Sequence, residues 1–345
     1  MAVTKRAHVT VRQTSPGRVL VAACLVPAFM LIAGEPARSQ AVEGPGTTYA
    51  TVTPVQAVTS EWHYTLTARV RPLLFWISRE NVGGARIAWT EGADGSRIAE
   101  LLIGSDPVRA PMRINRWGYI SERVAGPTAE MLGVMTTSDE ESIAQAKAGL
   151  ARQRDAHAFK AIRGSVKDGI ASSTVIHLIL ADDLTYEEPE KLLRQLPRTG
   201  AMTRQKNVTA DVEPGFLLAV KALLHEIVDS HNRSGRVNGR SFHRIFVYNS
   251  CLYELNQEES HFHPETLAGG RVYKATIESR FKTRNTATGE TSGFVITCGT
   301  RAPFAETPIR IVYRPRWWFE TELLLRDSAG VPTVAGATPC TTPSR

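Results

Sequence analysis

The chain has 345 residues, 42% hydrophobic and 22% charged, with 41 basic and 34 acidic side chains and a formal net charge of +7. That length and apolar content support a real buried core and exclude a wholly disordered chain. Five of the basic residues and one acid lie in residues 1–41, and what remains is too evenly balanced to mark a nucleic-acid partner.

Residues 1–41 read as a cleaved signal peptide. Lys5, Arg6, Arg12 and Arg18 precede any acid, residues 19–34 are apolar and uncharged, and Ser39-Gln40-Ala41 is a small-x-small cleavage pattern. The apolar run is short for a membrane span and is interrupted by Pro27. Val21-Ala22-Ala23-Cys24 matches a lipobox, but it precedes most of the apolar run, where a lipid-modified cysteine does not belong. The mature chain is therefore expected in the periplasm or outside the cell, with no transmembrane segment after cleavage.

Residues 42–60 are small and polar and read as a flexible leader. From residue 61 the composition turns to strands. Residues 62–77 are rich in β-branched and aromatic residues, and residues 86–90 and 97–103 flank Gly92-Ala93-Asp94-Gly95, a hairpin signal. Arg116-Trp117-Gly118-Tyr119-Ile120 is a further strand. Ser138 with Glu141 is a capping box for a surface helix over residues 142–154. Strands are expected at 159–166 and 172–180, around Asp168-Gly169. Thr185 with Glu188 is a second capping box, for a short helix ending near Pro197. Residues 198–211 form a polar break.

The periodicity predicts a long helix over residues 214–232. Phe216, Val220, Leu223, Leu224 and Ile227 form one apolar face, and Gly235 lies just past the end. Strands follow at 242–248 and 251–256 around Asn249-Ser250, at 273–281 with strict alternation, at 294–297, at 308–313 and at 317–325. Residues 328–345 read as a disordered tail. Strands, then helices, then strands make an α+β fold: a mainly antiparallel, twisted or curved sheet with one long packed helix and shorter surface helices. Residues 61–327 are one domain or two packed halves split near residue 200.

No P-loop, dinucleotide glycine fingerprint, nucleophile elbow or HExxH motif occurs. His261 and His263, two apart on a strand, share a face and suit a metal, with Glu265 beyond and His243 approaching from the neighbouring hairpin. Surface histidines in a polar loop are the plainer reading. His225 and Asp229 point away from the apolar face of the long helix. Arg314-Pro315-Arg316-Trp317-Trp318-Phe319 is aromatic and basic. Strand alternation leaves Trp318 outside the core, so Trp318 and Arg316, with Trp117, are the candidate ligand-binding residues. Arg109, Arg113, Arg116 and Arg123 around Trp117 and Tyr119 form a candidate basic rim. An oxidising compartment permits a disulfide, and Cys251 with Cys298 is the preferred pair, leaving Cys340 odd.

Thr307-Pro308-Ile309-Arg310-Ile311-Val312-Tyr313 with residues 317–326, and the hairpins over 246–255 and 275–296, resemble the last strands of exported bacterial proteins of unknown function with a lipocalin-like or lipoprotein-carrier-like curved sheet. The resemblance implies a concave face for a ligand and supplies no catalytic residues. The helical middle, residues 138–232, departs from a simple one-sheet carrier. The leading expectation is a non-enzymatic envelope protein that binds or carries an apolar or amphipathic ligand such as a lipid. The alternatives are a secreted metal-dependent hydrolase using His261 and His263, and a partner-binding scaffold with no cofactor.

Overall fold

The computed structural model describes residues 57–71, 76–110, 113–136, 157–180, 184–197, 202–235, 241–316, 319–326 and 333–334. The proposed signal peptide, the helix over 142–154, Trp317, Trp318, Cys340 and most of the tail lie outside the described residues.

One antiparallel sheet runs through the chain. A first meander holds β1 (Ala57–Val70), β2 (Ile77–Gly92), β3 (Arg97–Ser105), β4 (Trp117–Ala125), β5 (Thr128–Thr136), β6 (His157–Lys167), β7 (Ile170–Leu180) and β8 (Met202–Asn207). A second holds β9 (His243–Tyr248), β10 (Cys251–Ala268), β11 (Arg271–Asn285), β12 (Thr291–Gly299), β13 (Pro308–Arg316) and β14 (Phe319–Leu325). Within each meander every strand pairs with its sequence neighbour, and β1 pairs with β14 to join the meanders; β15 (Thr333–Val334) adds to β1. Two helices are described, α1 (Pro189–Gln195) and α2 (Phe216–Ser234). The fold is α+β, a curved antiparallel sheet with one long packed helix. Among the described residues, no helix is long and apolar enough to cross a membrane.

The sheet is rolled so that its two ends meet. Asn249 and Ser250 turn β9 into β10 with φ of 51° and 54°, the left-handed pair that a two-residue hairpin requires. Both are buried against the first meander. Ser173 Oγ donates to Asn249 Oδ1 at 3.1 Å, and Ser250 Oγ donates to the Arg204 carbonyl at 3.2 Å. Glu213 extends the seam as an isolated parallel bridge to Phe246.

Helix α2 fills the inside of the roll. Phe216, Leu217, Leu218, Ala219, Val220, Leu223, Leu224, Ile227 and Val228 are all buried, which is wider than the single apolar face expected. Phe216 packs edge-on to Phe246 of β9 and Phe294 of β12 at 5.5 and 5.8 Å between ring centroids. The helix starts at Phe216, two residues after Pro214, and its N-terminus meets the Glu122 carboxylate from β4 in place of a local cap. Leu217 N–H and Leu218 N–H donate to the two Glu122 oxygens at 3.1 and 3.0 Å. Gly215 makes room, since a Cβ there would lie 2.2 Å from the carboxyl carbon. Gly235 ends the helix at φ 66° and donates to the His231 carbonyl.

Several local expectations change. Strand β8 (MTRQKN) occupies the polar break; it is an edge strand held by main-chain pairing to β7, so it needs no apolar alternation. The polar run at 256–260 continues β10, with a register shift at Gln257/Glu259, and Gln257 donates to Ser260, which bonds Ser279 at 2.6 Å. Helix α1 begins at Pro189 with Glu188 at the cap and no side-chain cap bond, so the Thr185 box does not form. Strand β1 begins at Ala57, inside the segment read as leader, and β15 lies inside the segment read as tail.

Candidate functional site

The strand register divides the sheet into an inner face on α2 and an outer face. Around β1 and β14 the outer face carries charge. Arg69 opposes Glu320, and Thr67 opposes Glu322. Arg310 and Arg314 reach the same two carboxylates from β13.

Arg69 donates to Glu320 Oε1 at 2.9 Å and to Glu322 Oε2 at 2.5 Å. Arg310 Nε donates to Glu322 Oε1 at 2.5 Å. Arg314 donates to Glu320 Oε2 through Nε at 3.1 Å and Nη2 at 2.5 Å. Glu278 of β11 stands 3.6 Å from Arg310 and accepts from Thr297 at 3.4 Å. The side chains of Glu320 and Glu322 are only 8% and 7% exposed, although among the described residues no second layer covers them; the arginines themselves lie over them. Each carboxylate is shared between two guanidinium groups, which fixes the planes of all three arginines.

Beside this array lies an open groove of about 530 Å³, lined by Arg69, Trp76, Ser78, Glu278, Arg310, Arg314 and Glu320, with Val295 and Val312 on its floor. The Arg314 guanidinium stacks over the Trp76 ring at 5.0 Å from the centroid, and Arg71 lies 6.0 Å from it. Strands from both ends of the chain build the groove, because β1 and β14 are neighbours in the sheet.

The segment singled out for its aromatic and basic content lands here through Arg314. Arg316 pairs its backbone with Phe319 at the end of the same hairpin; its side chain and Trp318 lie outside the described residues. Trp76 carried no signal, since only the β1–β14 pairing brings it to Arg314.

Four other expectations are corrected. Trp117 is 1% exposed, and its indole donates to the Leu184 carbonyl at 2.9 Å. It packs edge-on to Phe159, under the segment that carries α1, so it is a core side chain whose one donor is already used. Arg116 beside it is equally buried, and Arg109 is paired to Asp106 at 2.5 Å, so no basic rim forms there. His243, His261 and His263 do not converge. His243 opposes Asn256, five residues along β10 from His261, roughly 17 Å at strand rise. Among the described residues no group of three metal-ligating side chains exists. Cys251 and Cys298 are both free. Cys298 opposes Ile277, which opposes Phe262, eleven residues along β10 from Cys251, roughly 36 Å.

The concave face offered to an apolar ligand is the face packed on α2. The lipocalin-like carrier geometry is therefore replaced by a sheet rolled around a helix.

No protein-family model and no curated protein matches the chain. Among solved structures, the chain is similar to a beta-barrel-like protein of a domain of unknown function, DUF1849, from Brucella abortus. The match covers 79% of this chain and 98% of that one, at 9% identity and a TM-score of 0.41.

Proposed function

We propose that this chain is an exported, non-enzymatic binding protein that takes a carbohydrate in the outer groove. One observation carries the reading: the groove interleaves fixed donors and fixed acceptors. Arg69, Arg310 and Arg314 present N–H groups, Glu278 and Glu320 present carboxylate oxygens, Ser78 offers both, and Trp76 supplies an apolar wall. Sugar hydroxyls both donate and accept, and sugar C–H faces pack on indole, so a saccharide satisfies the whole set. A polyanion would meet Glu278 and Glu320, and an apolar ligand would strand the guanidinium groups. The export signal read in residues 1–41 would bring the groove to the glycans of a cell envelope.

The test is calorimetric titration of the purified chain against neutral and acidic oligosaccharides of envelope type. At least one should bind saturably, with affinity falling about tenfold or more in Trp76→Ala and Arg314→Ala. No binding across the panel, or binding indifferent to both substitutions, removes the reading.

A further inference from the structure

We propose that the outer groove takes a linear oligosaccharide laid across the strands, with Ser78 and Glu278 as the contacts at its two ends. The inference rests on the carbohydrate reading of the groove and adds the shape and length of the ligand.

Sheet order makes the groove long. Its lining comes from β2, β1, β14, β13, β12 and β11, which are consecutive neighbours in the sheet. From Ser78 on β2 to Glu278 on β11 there are five strand spacings, about 24 Å along the sheet. The register draws the path between them. Ser78 opposes Arg69, and Arg69 opposes Glu320. Arg314 of β13 donates to the same Glu320. On the neighbouring rows Val312 opposes Val295, and Thr297 stands between Arg310 and Glu278.

The middle of this path differs from its ends. In the middle, arginine and glutamate side chains hold one another, so they stand in place before a ligand arrives and binding orders little that is not already ordered. Half-buried Val295 and Val312 give that stretch an apolar floor for the C–H face of a ring. At the ends, hydrogen-bonding capacity is spare. The Ser78 hydroxyl and Glu278 Oε1 have no partner among the described residues, while Glu278 Oε2 is the oxygen that meets Arg310 and Thr297.

A compact ligand uses little of such a surface. Each hydrogen bond to it replaces one to water and nets about 1 kcal/mol, so one ring in an open groove is held weakly. A chain of rings presents its hydroxyl pattern again at each strand. It sums these small gains on one preformed surface and loses its translational freedom only once. A ligand that reaches both spare ends must be several rings long.

The experiment repeats the calorimetric titration of the full chain, with each saccharide of the panel supplied as monomer, dimer, tetramer and hexamer. Affinity should rise about tenfold or more from monomer to tetramer and level off once the chain outgrows the groove. Glu278→Gln, a conservative change at a side chain 37% exposed, should lower affinity for the hexamer about tenfold and flatten the rise. Ser78→Ala should lower it about threefold. The inference is overturned if monomer and hexamer bind alike, or if the rise with length survives either substitution in full. Saturable binding that still depends on Trp76 would then leave the carbohydrate reading standing. Absence of binding at every length removes both.

Discussion

The outer faces of the two meanders obey the same strand alternation and end as opposites. Over β4–β7 the outward residues are Trp117, Thr136, Phe159 and Leu178, one row across the sheet. The segment 184–197 roofs them: Leu192 is fully buried, Leu184 accepts from the Trp117 indole, and the Pro197 carbonyl accepts from Arg163 at 2.7 Å. Over β1 and β11–β14 the outward charged residues include Arg69, Glu278, Arg310, Arg314, Glu320 and Glu322, and among the described residues their cover is one another. Among the described residues, outward positions become core where the chain returns as a second layer, and a charge lattice where it does not. That difference places the groove where β1 joins the second meander and leaves the roofed outer face of β4–β7 structural.

The largest expected effect tests the roofed face. Trp117→Ala removes a buried indole and its hydrogen bond, at a cost of about 3–5 kcal/mol in urea denaturation. Trp76→Ala, at the wall of an open groove, should cost about 1 kcal/mol or less. Equal costs would erase the contrast between the two faces. The next effect tests the inside. Burial pushes the Glu122 carboxyl up to about 7 from its ordinary 4.5, against the helix N–H bonds that pull it down. Between those values the folded state holds a proton that the unfolded chain has released. Stability should therefore fall by about 3 kcal/mol as pH rises from 4.5 to 7, and stay level above. In Glu122→Gln that fall should disappear. Denaturation curves at pH 5 and pH 7.5 check the sign, and a slope that survives in the variant removes Glu122 as its source.

Much of the fold was legible in the sequence because periodicity is local. The alternation of β11, the Asn249-Ser250 turn and the length of α2 stand within a few residues of expectation. The polar edge strand β8 and the Met- and Gly-containing β5 carry no clean alternation, and both were missed. The site was harder to read. Arg314 announced itself within an aromatic, basic run, whereas Trp76 and Arg69 reach it only because the first strand closes on the last. Trp117 misled for the complementary reason, since nothing near it in sequence shows that Leu184 and Leu192 cover it. Glu122 gave no signal at all: its role as helix cap depends on a helix that begins 94 residues later.

A smaller effect sharpens the account of the bare face. Glu320→Ala leaves Arg69 with one carboxylate and Arg314 with none. Both arginines reach solvent, at 33% and 55% side-chain exposure, so water recovers part of the loss. The expected cost is about 1 kcal/mol, reduced in high salt. Carbohydrate affinity should fall further than stability does, because the lost carboxylate is also what holds the Arg314 plane against Trp76. A variant that loses stability and keeps affinity would mean the array is structural only.

The smallest expected effect is none. With Cys251 and Cys298 at opposite ends of their strands, adding dithiothreitol should leave the melting temperature of the folded chain unchanged. Burial pushes the Cys298 thiol up to about 12. It should therefore resist alkylation at neutral pH until the sheet opens, while the half-buried Cys251 reacts first. Alkylation of Cys298 then becomes a reporter of global opening. Its rate should rise in Trp117→Ala, which weakens the fold, and hold steady in Trp76→Ala. Parallel rates in the two variants would show that opening near Cys298 is local to the second meander, and that the roofed face of the first does not govern it.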